Sequence, residues 1–287
     1  MIAAVLSMLL LVPVLQGSYV PQRVFDTRQK GFSDFESMLA DLARADAVFV
    51  GEQHDDPNTH RLELAIVEGL TRRGVAVVVA MEMFERDVQR SLDQYAAGTT
   101  TEEQFLKDSR PWPRYATDYR PIVEFAKAHK LPIVASNVPR RVASDVGKVG
   151  MSAVEKLAAA DRAFAAREMP CPASGSYYDR FLAAMGGHAG STPNFYVAQC
   201  VKDETMGESV AETFHKTTGR VAIVHFDGAF HSDFGEGTAA AARRRMPGRR
   251  IAVVSIVPVA DIDAAKPADG DLNRADYLVY TVGKKSP

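Results

Sequence analysis

Cysteine is scarce in this sequence, and the positions of its two cysteines argue against two common uses of the residue. Cys171 and Cys200 belong to neither a C-x-x-C nor a C-x-x-C-H motif. Zinc ribbons and covalently attached c-type haem depend on such motifs and are therefore unsupported. In an exported protein the two thiols can form a disulfide, and in any compartment they can remain separate core thiols. The sequence leaves both alternatives open.

An excess of charge of either sign is also lacking. The formal net charge is −2, and no stretch rich in lysine and arginine is interleaved with aromatic residues. Nucleic acid is therefore not expected as a partner. The sequence also contains no G-x-S-x-G, Walker, G-x-G-x-x-G or H-E-x-x-H motif, so the enzyme and nucleotide-binding classes that depend on these motifs are set aside.

The one long apolar run lies at the amino terminus and is too short to span a membrane comfortably. Small and turn-forming residues follow it at Gly17 and Ser18. This pattern predicts a secretory signal peptide over residues 1–18, although its first residues carry no lysine or arginine. The alternative is a first buried element of the fold. With a signal peptide, the protein is expected to be exported to the periplasm or cell envelope.

The remaining sequence, residues 19–287, predicts one α/β domain. Apolar runs rich in β-branched residues alternate with segments of helical spacing, which is typical of a mostly parallel central sheet flanked by helices. Two longer segments, about 84–118 and 139–216, predict inserted helices that form a lid. The predicted strands are 46–51, 75–83, 131–137, 220–228, 250–259 and, as an edge strand, 277–282. The predicted flanking helices are 34–44, 58–73, 119–129 and 236–246.

Polar residues follow the first four strong strands. In an open parallel sheet these strand ends meet at one edge, where ligands bind. We therefore expect the polar residues to form one wall of a site. In chain order they are Glu52, His54 and Asp55, then Glu82, then Asn137 and Arg140, then Asp227 and His231.

Two of these segments share the pattern G-x-x-H, ending in His54 and in His231. The glycine permits a tight turn or a close approach of the backbone to a ligand. Together with Glu52 and Glu82, the two histidines are suitable ligands for zinc or another divalent ion, and they are equally suitable as acid–base groups. Their spacing does not choose between these roles. The simpler interpretation of His54 is a hydrogen-bonded structural histidine.

Other simple interpretations apply to the carboxylates. Asp56 precedes the predicted helix at 58 and is a candidate helix cap. Glu82 is harder to explain structurally, because it follows seven apolar residues, 75–81, and precedes Met83 and Phe84. A carboxylate there is costly to bury unless it is paired or bound to an ion.

Five segments in order resemble the ChaN-like family of iron-regulated, haem-binding proteins, which is grouped with the Tiki, TraB and erythromycin-esterase-like proteins. The segments are VGEQHDDPNTHRLEL, AMEMF, PWPRYATDYRPIVEFAKAHKLPIVASNVPR, FYVAQCVKDETMGESVAE and IVHFDGAFHSDFGEG. The resemblance implies an exported bacterial protein of haem or iron uptake that works with outer-membrane uptake machinery. It also implies a haem site completed by a partner subunit, and therefore a homodimer.

The resemblance further implies that a tyrosine holds the haem iron. The candidates in this chain are Tyr177 and Tyr178 in the predicted lid, with His188 and Met185 as further axial candidates. The alternative for the two tyrosines is aromatic packing of a lid helix. Arg140, with its neighbour Arg141, is a candidate partner for the haem propionates, and its alternative is a solvated helix end.

A second function remains open, because the same superfamily contains hydrolases. In its Tiki branch two G-x-x-H motifs carry metal-dependent peptidase activity, and in its esterase branch a glutamate and a histidine activate water. The matching residues here are Glu52, His54, Glu82 and His231. The alternative prediction is therefore a hydrolase in which Glu52 acts as general base, with or without a divalent metal.

Overall fold

The computed structural model describes residues 20–186 and 192–283. The predicted signal peptide and His188 lie outside these residues. A single eight-stranded sheet forms the centre of the fold. Its strands are β1 (Gln22–Asp26), β2 (Gly31–Ser33), β3 (Ala47–Glu52), β4 (Val77–Glu85), β5 (Ile133–Asn137), β6 (Ala222–Gly228), β7 (Ile251–Val259) and β8 (Tyr277–Val282).

The strand order is β2-β1-β8-β7-β3-β6-β4-β5. Strands β8, β7, β3, β6, β4 and β5 run parallel to one another, so a mostly parallel sheet is confirmed. All six residues of β3 are buried, as expected for a strand covered on both faces. Helices therefore have to cover both sides of the sheet.

The prediction that β8 is an edge strand was wrong. Strand β1 pairs with it in antiparallel register, from Gln22 opposite Thr281 to Asp26 opposite Tyr277, and β2 then forms the edge. The short segments that form β1 and β2 were not predicted as strands. Strand β1 forms by pairing with β8, near the other end of the chain, and β2 forms by pairing with β1. Neither strand depends on a long apolar run of its own.

Twelve helices are described, and they form layers on the two faces of the sheet. They are α1 (Phe35–Leu42), α2 (Pro57–Arg72), α3 (Gln89–Ala96), α4 (Glu102–Ser109), α5 (Tyr115–Asp118), α6 (Arg120–Ala128), α7 (Arg140–Val149), α8 (Ser152–Glu155), α9 (Ala159–Arg162), α10 (Ser176–Ala184), α11 (Thr192–Lys216) and α12 (Gly237–Arg245). None of the helices in the described part of the chain has the length and apolar character that crossing a membrane requires.

The sheet separates two hydrophobic cores. On one face, α1, α2 and α6 contribute residues such as Leu39, Ile66 and Ile122. On the other, the second half of α11 and α12 contribute Val210 and Ala242. The two predicted insertions are helical, and the second one ends in α11, which packs on the sheet.

The carboxylate of Asp56 caps α2, as the simpler interpretation of this residue predicted. It accepts hydrogen bonds from the backbone N–H groups of Asn58, at 3.0 Å, and Thr59, at 2.9 Å. Pro57 occupies the first turn, where its missing N–H costs nothing. The cap fixes the start of α2 directly after β3, and so fixes the loop that carries His54.

A disulfide joins Cys171 to Cys200, which resolves the alternatives left by the sequence. The bond ties the segment before α10 to the first half of α11 and closes a loop with a sequence separation of 29 residues. Helix α10 lies within this loop. The disulfide therefore restricts the part of the chain that carries Tyr177 and Tyr178.

We expect the double variant Cys171→Ser/Cys200→Ser to lose about 2–4 kcal/mol of unfolding free energy, because cross-linking a loop of this length restricts the unfolded chain. Urea unfolding followed by circular dichroism measures the loss. A reducing agent should lower the stability of the wild type and leave the double variant unchanged. Equal stability of the wild type with and without reductant would contradict the prediction.

Candidate functional site

The polar strand ends meet at one edge of the sheet, as the sequence predicted. Glu52 at the end of β3 is aligned with Gly228 at the end of β6. Strand β4 pairs with β6 as far as Met81, so Glu82 is the first residue beyond that ladder. The Gly228 N–H donates to Oε2 of Glu82 at 2.9 Å, and Asn137 at the end of β5 donates to the Glu82 carbonyl at 3.1 Å. Four neighbouring strands therefore contribute to one site.

The glycines of the two G-x-x-H segments make room for this site. A Cβ atom on Gly51 would lie 2.8 Å from Cα of Ala229. A Cβ atom on Gly228 would lie 2.7 Å from Nε2 of His54 and 3.7 Å from Cδ2 of His231. Both imidazole rings therefore approach the same point, and a side chain on Gly228 would displace the His54 ring.

His231 lies between two carboxylates. Its Nε2 is 3.3 Å from Oε1 of Glu82, and its Nδ1 is 2.6 Å from Oδ1 of Asp203 on α11. Burial opposes the charged imidazole, but the two carboxylates outweigh burial and raise the pKa of His231 well above its usual value. Burial likewise opposes ionised Glu82, but His231 outweighs it and holds the pKa of Glu82 well below its usual range. The pair is therefore ionised at neutral pH.

Asp203 was not predicted from the sequence, although it orients His231. Its Oδ1 also accepts a hydrogen bond from Thr238 at 2.9 Å, and its Oδ2 accepts one from the Tyr177 hydroxyl at 2.5 Å. Gln199 lies 3.2 Å from Nδ1 of His231. No local signal marks Asp203 in the sequence, because its partners come from α10, α12 and the turn after β6.

Glu52 and His54 form a second pair beside the first. Oε1 of Glu52 is 2.5 Å from Nδ1 of His54 and accepts a hydrogen bond from Tyr119 at 2.8 Å. Burial raises the pKa of Glu52, but hydrogen bonding to His54 and His60 outweighs burial and lowers the pKa to about 2. The His54 side chain is 47% exposed, so it connects this buried carboxylate to solvent.

His60 and Glu63, both on α2, extend this pair into the core and were also missed. Nδ1 of His60 is 3.0 Å from Oε2 of Glu63 and 3.4 Å from Oε2 of Glu52. The sequence held a signal for them. The two residues are three apart on the apolar face of α2 that also carries Ile66 and Leu70, and charged residues rarely occupy such positions without a partner.

The four residues predicted as a metal site therefore form two pairs, Glu52 with His54 and Glu82 with His231. In the described part of the chain, no group of three or more potential ligand atoms within 4.8 Å of one another includes both histidines. Each pair instead couples a buried carboxylate to an imidazole. This arrangement can hold or transfer a proton at Nε2 of His54 and at Nε2 of His231.

The two tyrosines predicted as haem ligands occupy different surroundings. Tyr177 is directed towards the strand-end site through its hydrogen bond to Asp203, and burial together with Asp203 raises its pKa well above the usual value. Tyr178 packs edge-on against Tyr196, with ring centroids 4.7 Å apart. No hydrogen bond to the Tyr178 hydroxyl is found among residues 20–186 and 192–283.

The predicted propionate partner, Arg140, is exposed at the first residue of α7. No hydrogen bond or ion pair within the described ranges joins it to Tyr177 or Tyr178. Its neighbour Arg141 is paired with Asp87 and Asp161, both at 2.6 Å. The role predicted for Arg140 stays a prediction, whereas Arg141 is held by two ion pairs.

Large apolar side chains are exposed around the tips of α7, α10 and α11, and we call Val149, Met185 and Phe195 the apolar tip. Their exposed fractions are 59%, 37% and 44%. The Phe195 ring lies against Gly147 on α7, and Asn194 donates a hydrogen bond to the Lys148 carbonyl at 3.2 Å. These contacts bring the start of α11 against the end of α7, and neighbouring exposed apolar side chains can mark a binding surface.

Comparison with known proteins gives a family and a fold. Residues 38–241 match the family described as haem-binding uptake, Tiki superfamily, ChaN. The structure is similar to one described as "Cofacial heme binding to ChaN of Campylobacter jejuni", with a TM-score of 0.65 and 16% identity over 91% of this chain and 97% of that chain. It also resembles a protein from Bacillus cereus, with a TM-score of 0.50 and 11% identity over 86% and 91% of the two chains. No curated protein sequence gives a significant match.

We expect Glu82→Gln to lower the pKa of His231, because the variant removes one of the two carboxylates that favour the charged imidazole. In the wild type that charge stabilises the fold fully below the ordinary histidine pKa of 6.5. This stabilisation is lost as the pH rises towards the raised pKa that His231 has in the folded protein. In the variant that pKa is lower, so the loss is complete at a lower pH. Histidine-ring NMR during a pH titration measures the change.

The exposed His129 provides an internal control in the same spectra. An unchanged His231 titration in Glu82→Gln would show that Asp203 alone sets its pKa, contrary to the prediction.

Proposed function

We propose that this chain, which belongs to the ChaN family of haem-binding uptake proteins in the Tiki superfamily, binds haem beside the apolar tip, with Tyr178 as the iron ligand. Family membership supports haem as the ligand class. The position on the chain is supported by the surroundings of the two candidate tyrosines and by the exposed apolar side chains next to one of them.

Of the two candidate tyrosines, Tyr178 is the one whose hydroxyl no described residue engages, and this observation carries the proposal. A tyrosine that binds haem iron needs its oxygen available. The Tyr177 oxygen is committed to Asp203 at 2.5 Å. Tyr178 is half-buried on α10 and packs against Tyr196, which holds its ring in place.

The apolar tip supplies the surface that a flat, largely apolar ligand requires. Tyr178, Phe181 and Met185 are three and four residues apart and therefore share one face of α10. Phe181 packs against Tyr196, with ring centroids 5.5 Å apart, and Tyr196 follows Phe195 of the tip directly. One strip of α10 and the start of α11 thus combine an oxygen ligand with exposed apolar side chains.

The nearby cleft lined by Tyr177 and Tyr196 has a volume of about 230 Å³. This is below the roughly 300–1,000 Å³ of pockets that enclose small molecules. A haem on this chain therefore lies on an open surface and keeps one face uncovered. A second copy of the chain, carrying its own haem, would cover that face, which supports the homodimer that the sequence predicted.

The disulfide between Cys171 and Cys200 supports the exported location, because such bonds persist in oxidising compartments. We propose that the protein acts in the periplasm or cell envelope and exchanges haem with outer-membrane uptake machinery. Iron-regulated haem uptake would then deliver the ligand to the compartment in which the chain folds.

We expect the purified protein to bind hemin saturably and to show the charge-transfer absorption band of a tyrosinate ligand. Tyr178→Phe should lose this band and bind hemin at least about 10-fold more weakly, because it loses the oxygen ligand and keeps the ring. A visible-absorption titration measures both effects, and sedimentation of the loaded protein measures its mass.

Tyr177→Phe is the matched control, since it removes the neighbouring hydroxyl on the same helix and should keep the band. Loss of the band in Tyr177→Phe alone would overturn the assignment of the ligand. Weak, non-saturating binding that is equal in all three proteins would overturn haem binding itself.

Hydrolysis is a second candidate function, favoured by the position of His231 between Asp203 and Glu82. An imidazole that two carboxylates keep charged is suited to donating a proton to a leaving group, while the neighbouring pair of Glu52 and His54 supplies the general base for water. His54 lies on the other side of Gly228 and is open to solvent, which provides access for a substrate. This site is separate from Tyr178, so the two functions are experimentally distinguishable.

If the chain is a hydrolase, His231→Gln should lower the turnover of esters or peptides by at least about 100-fold, as expected for loss of an acid–base group. Tyr178→Phe should retain full turnover. A panel of chromogenic esters and peptides provides the assay. Turnover that never exceeds that of the buffer, or that persists in His231→Gln, would rule out this use of the site.

A further inference from the structure

The most unusual buried group beside the strand-end pairs joins Glu52, a member of the first pair, to His60 and Glu63 on α2. One potential ligand atom of each residue lies within 4.8 Å of the others. All three residues are buried, with at most 4% of their surface exposed. Among the residues that the structure describes, this is the one set of three such ligand types brought so close together.

Two carboxylate oxygens in this set lack hydrogen-bond partners. Oε2 of Glu52 and Oε1 of Glu63 are both buried without one. The two oxygens of Glu52 therefore differ: Oε1 is held by His54 and Tyr119, whereas Oε2 faces His60. An unpartnered carboxylate oxygen in the interior is costly, and a bound cation removes that cost.

The charges around His60 favour a cation in the same place. Three carboxylates surround this single imidazole, because Oδ2 of Asp118 lies 3.5 Å from its Nε2. Arg114 pairs with Asp118 at 3.0 Å and compensates that carboxylate. The carboxylates of Glu52 and Glu63 remain, both on the Nδ1 side of the ring.

The hydrogen bonding of His60 is that of a metal-binding histidine. Its Nε2 lies 3.3 Å from the His54 carbonyl, which can only accept a hydrogen bond, so Nε2 carries the hydrogen. Metal-binding histidines usually donate their second ring N–H to a carbonyl or carboxylate in this way. With Nε2 protonated, Nδ1 directs its lone pair at the two carboxylates, and either a proton or a metal ion has to lie between them.

The separations of the ligand atoms are close to those found around a transition metal. Ligands bonded at about 2.0–2.2 Å around a tetrahedral ion lie roughly 3.3–3.6 Å apart. The distance from Nδ1 of His60 to Oε2 of Glu52 is 3.4 Å and lies in this range, whereas that to Oε2 of Glu63 is 3.0 Å and would lengthen slightly around an ion. One imidazole and two carboxylates are a ligand set suited to Zn²⁺ and to neighbouring divalent ions.

We propose that Glu52, His60 and Glu63 form a binding site for one divalent transition-metal ion, with Zn²⁺ as the reference ion, between β3 and α2. This site shares Glu52 with the predicted metal set but contains neither of the two G-x-x-H histidines, and it does not depend on haem binding. The half-exposed His54, bonded to the other oxygen of Glu52, provides the side from which the ion enters.

The test uses the full chain, stripped of metal with a chelator and then titrated with Zn²⁺ by calorimetry. We expect one ion per chain and a higher melting temperature in its presence. Glu63→Gln keeps the size of the side chain but removes an anionic ligand, and should weaken binding by about 100-fold or more, beyond the 10–100-fold that is typical of losing an outer-shell partner. Visible absorption of the Co²⁺-loaded protein reports the coordination independently of affinity.

Asp227→Asn is the matched control. Asp227 and His225 form a fully buried carboxylate–imidazole pair on β6, with 3.2 Å between Oδ2 and Nδ1, and without a second carboxylate on that nitrogen. This variant should bind Zn²⁺ like the wild type, as should Tyr178→Phe. Equal Zn²⁺ affinity of Glu63→Gln and the wild type would overturn the proposal. The absence of Zn²⁺ binding and of a Co²⁺ spectrum in the wild type would overturn it without any variant.

Discussion

The burial of Glu82 is the constraint on which the rest of the site depends. Only 2% of this residue is exposed, and it lies where the β4–β6 ladder ends. Its charge can persist there because the Gly228 N–H and the His231 imidazole both face it. Gly228 has to remain glycine to admit His54, and Asp203 has to reach His231 from α11. One buried carboxylate therefore links the sheet edge to the inserted helices.

The molecule separates a polar site from an apolar one. The strand-end carboxylates and histidines lie at the sheet edge, while the apolar tip lies where α7, α10 and α11 meet. Helix α10 connects them, since Tyr177 bonds to Asp203 and the next residue, Tyr178, packs on Tyr196. The disulfide to Cys200 anchors the segment before α10 to α11. Asp203 contacts both His231 and Tyr177, the residue before the proposed haem ligand. A change in the charge of His231 therefore acts on Tyr177 through this one side chain.

Much of the fold was predictable, because the six parallel strands are long apolar runs, and such a composition predicts strands that are buried on both faces. The same is true of the capping residue Asp56 and of the polar residues that end each strand. Strands β1 and β2 were missed because pairing defines them: β1 pairs with β8, and β2 pairs with β1. The pairing of β1 with β8 also places β8 inside the sheet. His60 and Glu63 were detectable in principle as charges on the apolar face of α2, whereas Asp203 had no such signal.

The sequence by itself determined which residues reach the sheet edge, because strand direction and strand ends depend on local patterns. It also carried the resemblance that the family match confirms. Only the tertiary structure decided how these residues pair: Glu52 with His54 and His60, Glu82 with His231, and His231 with Asp203. It likewise distinguished Tyr177 from Tyr178 and joined Cys171 to Cys200. These choices depend on contacts between segments far apart in the chain, and the energy of a buried charge is set by such contacts.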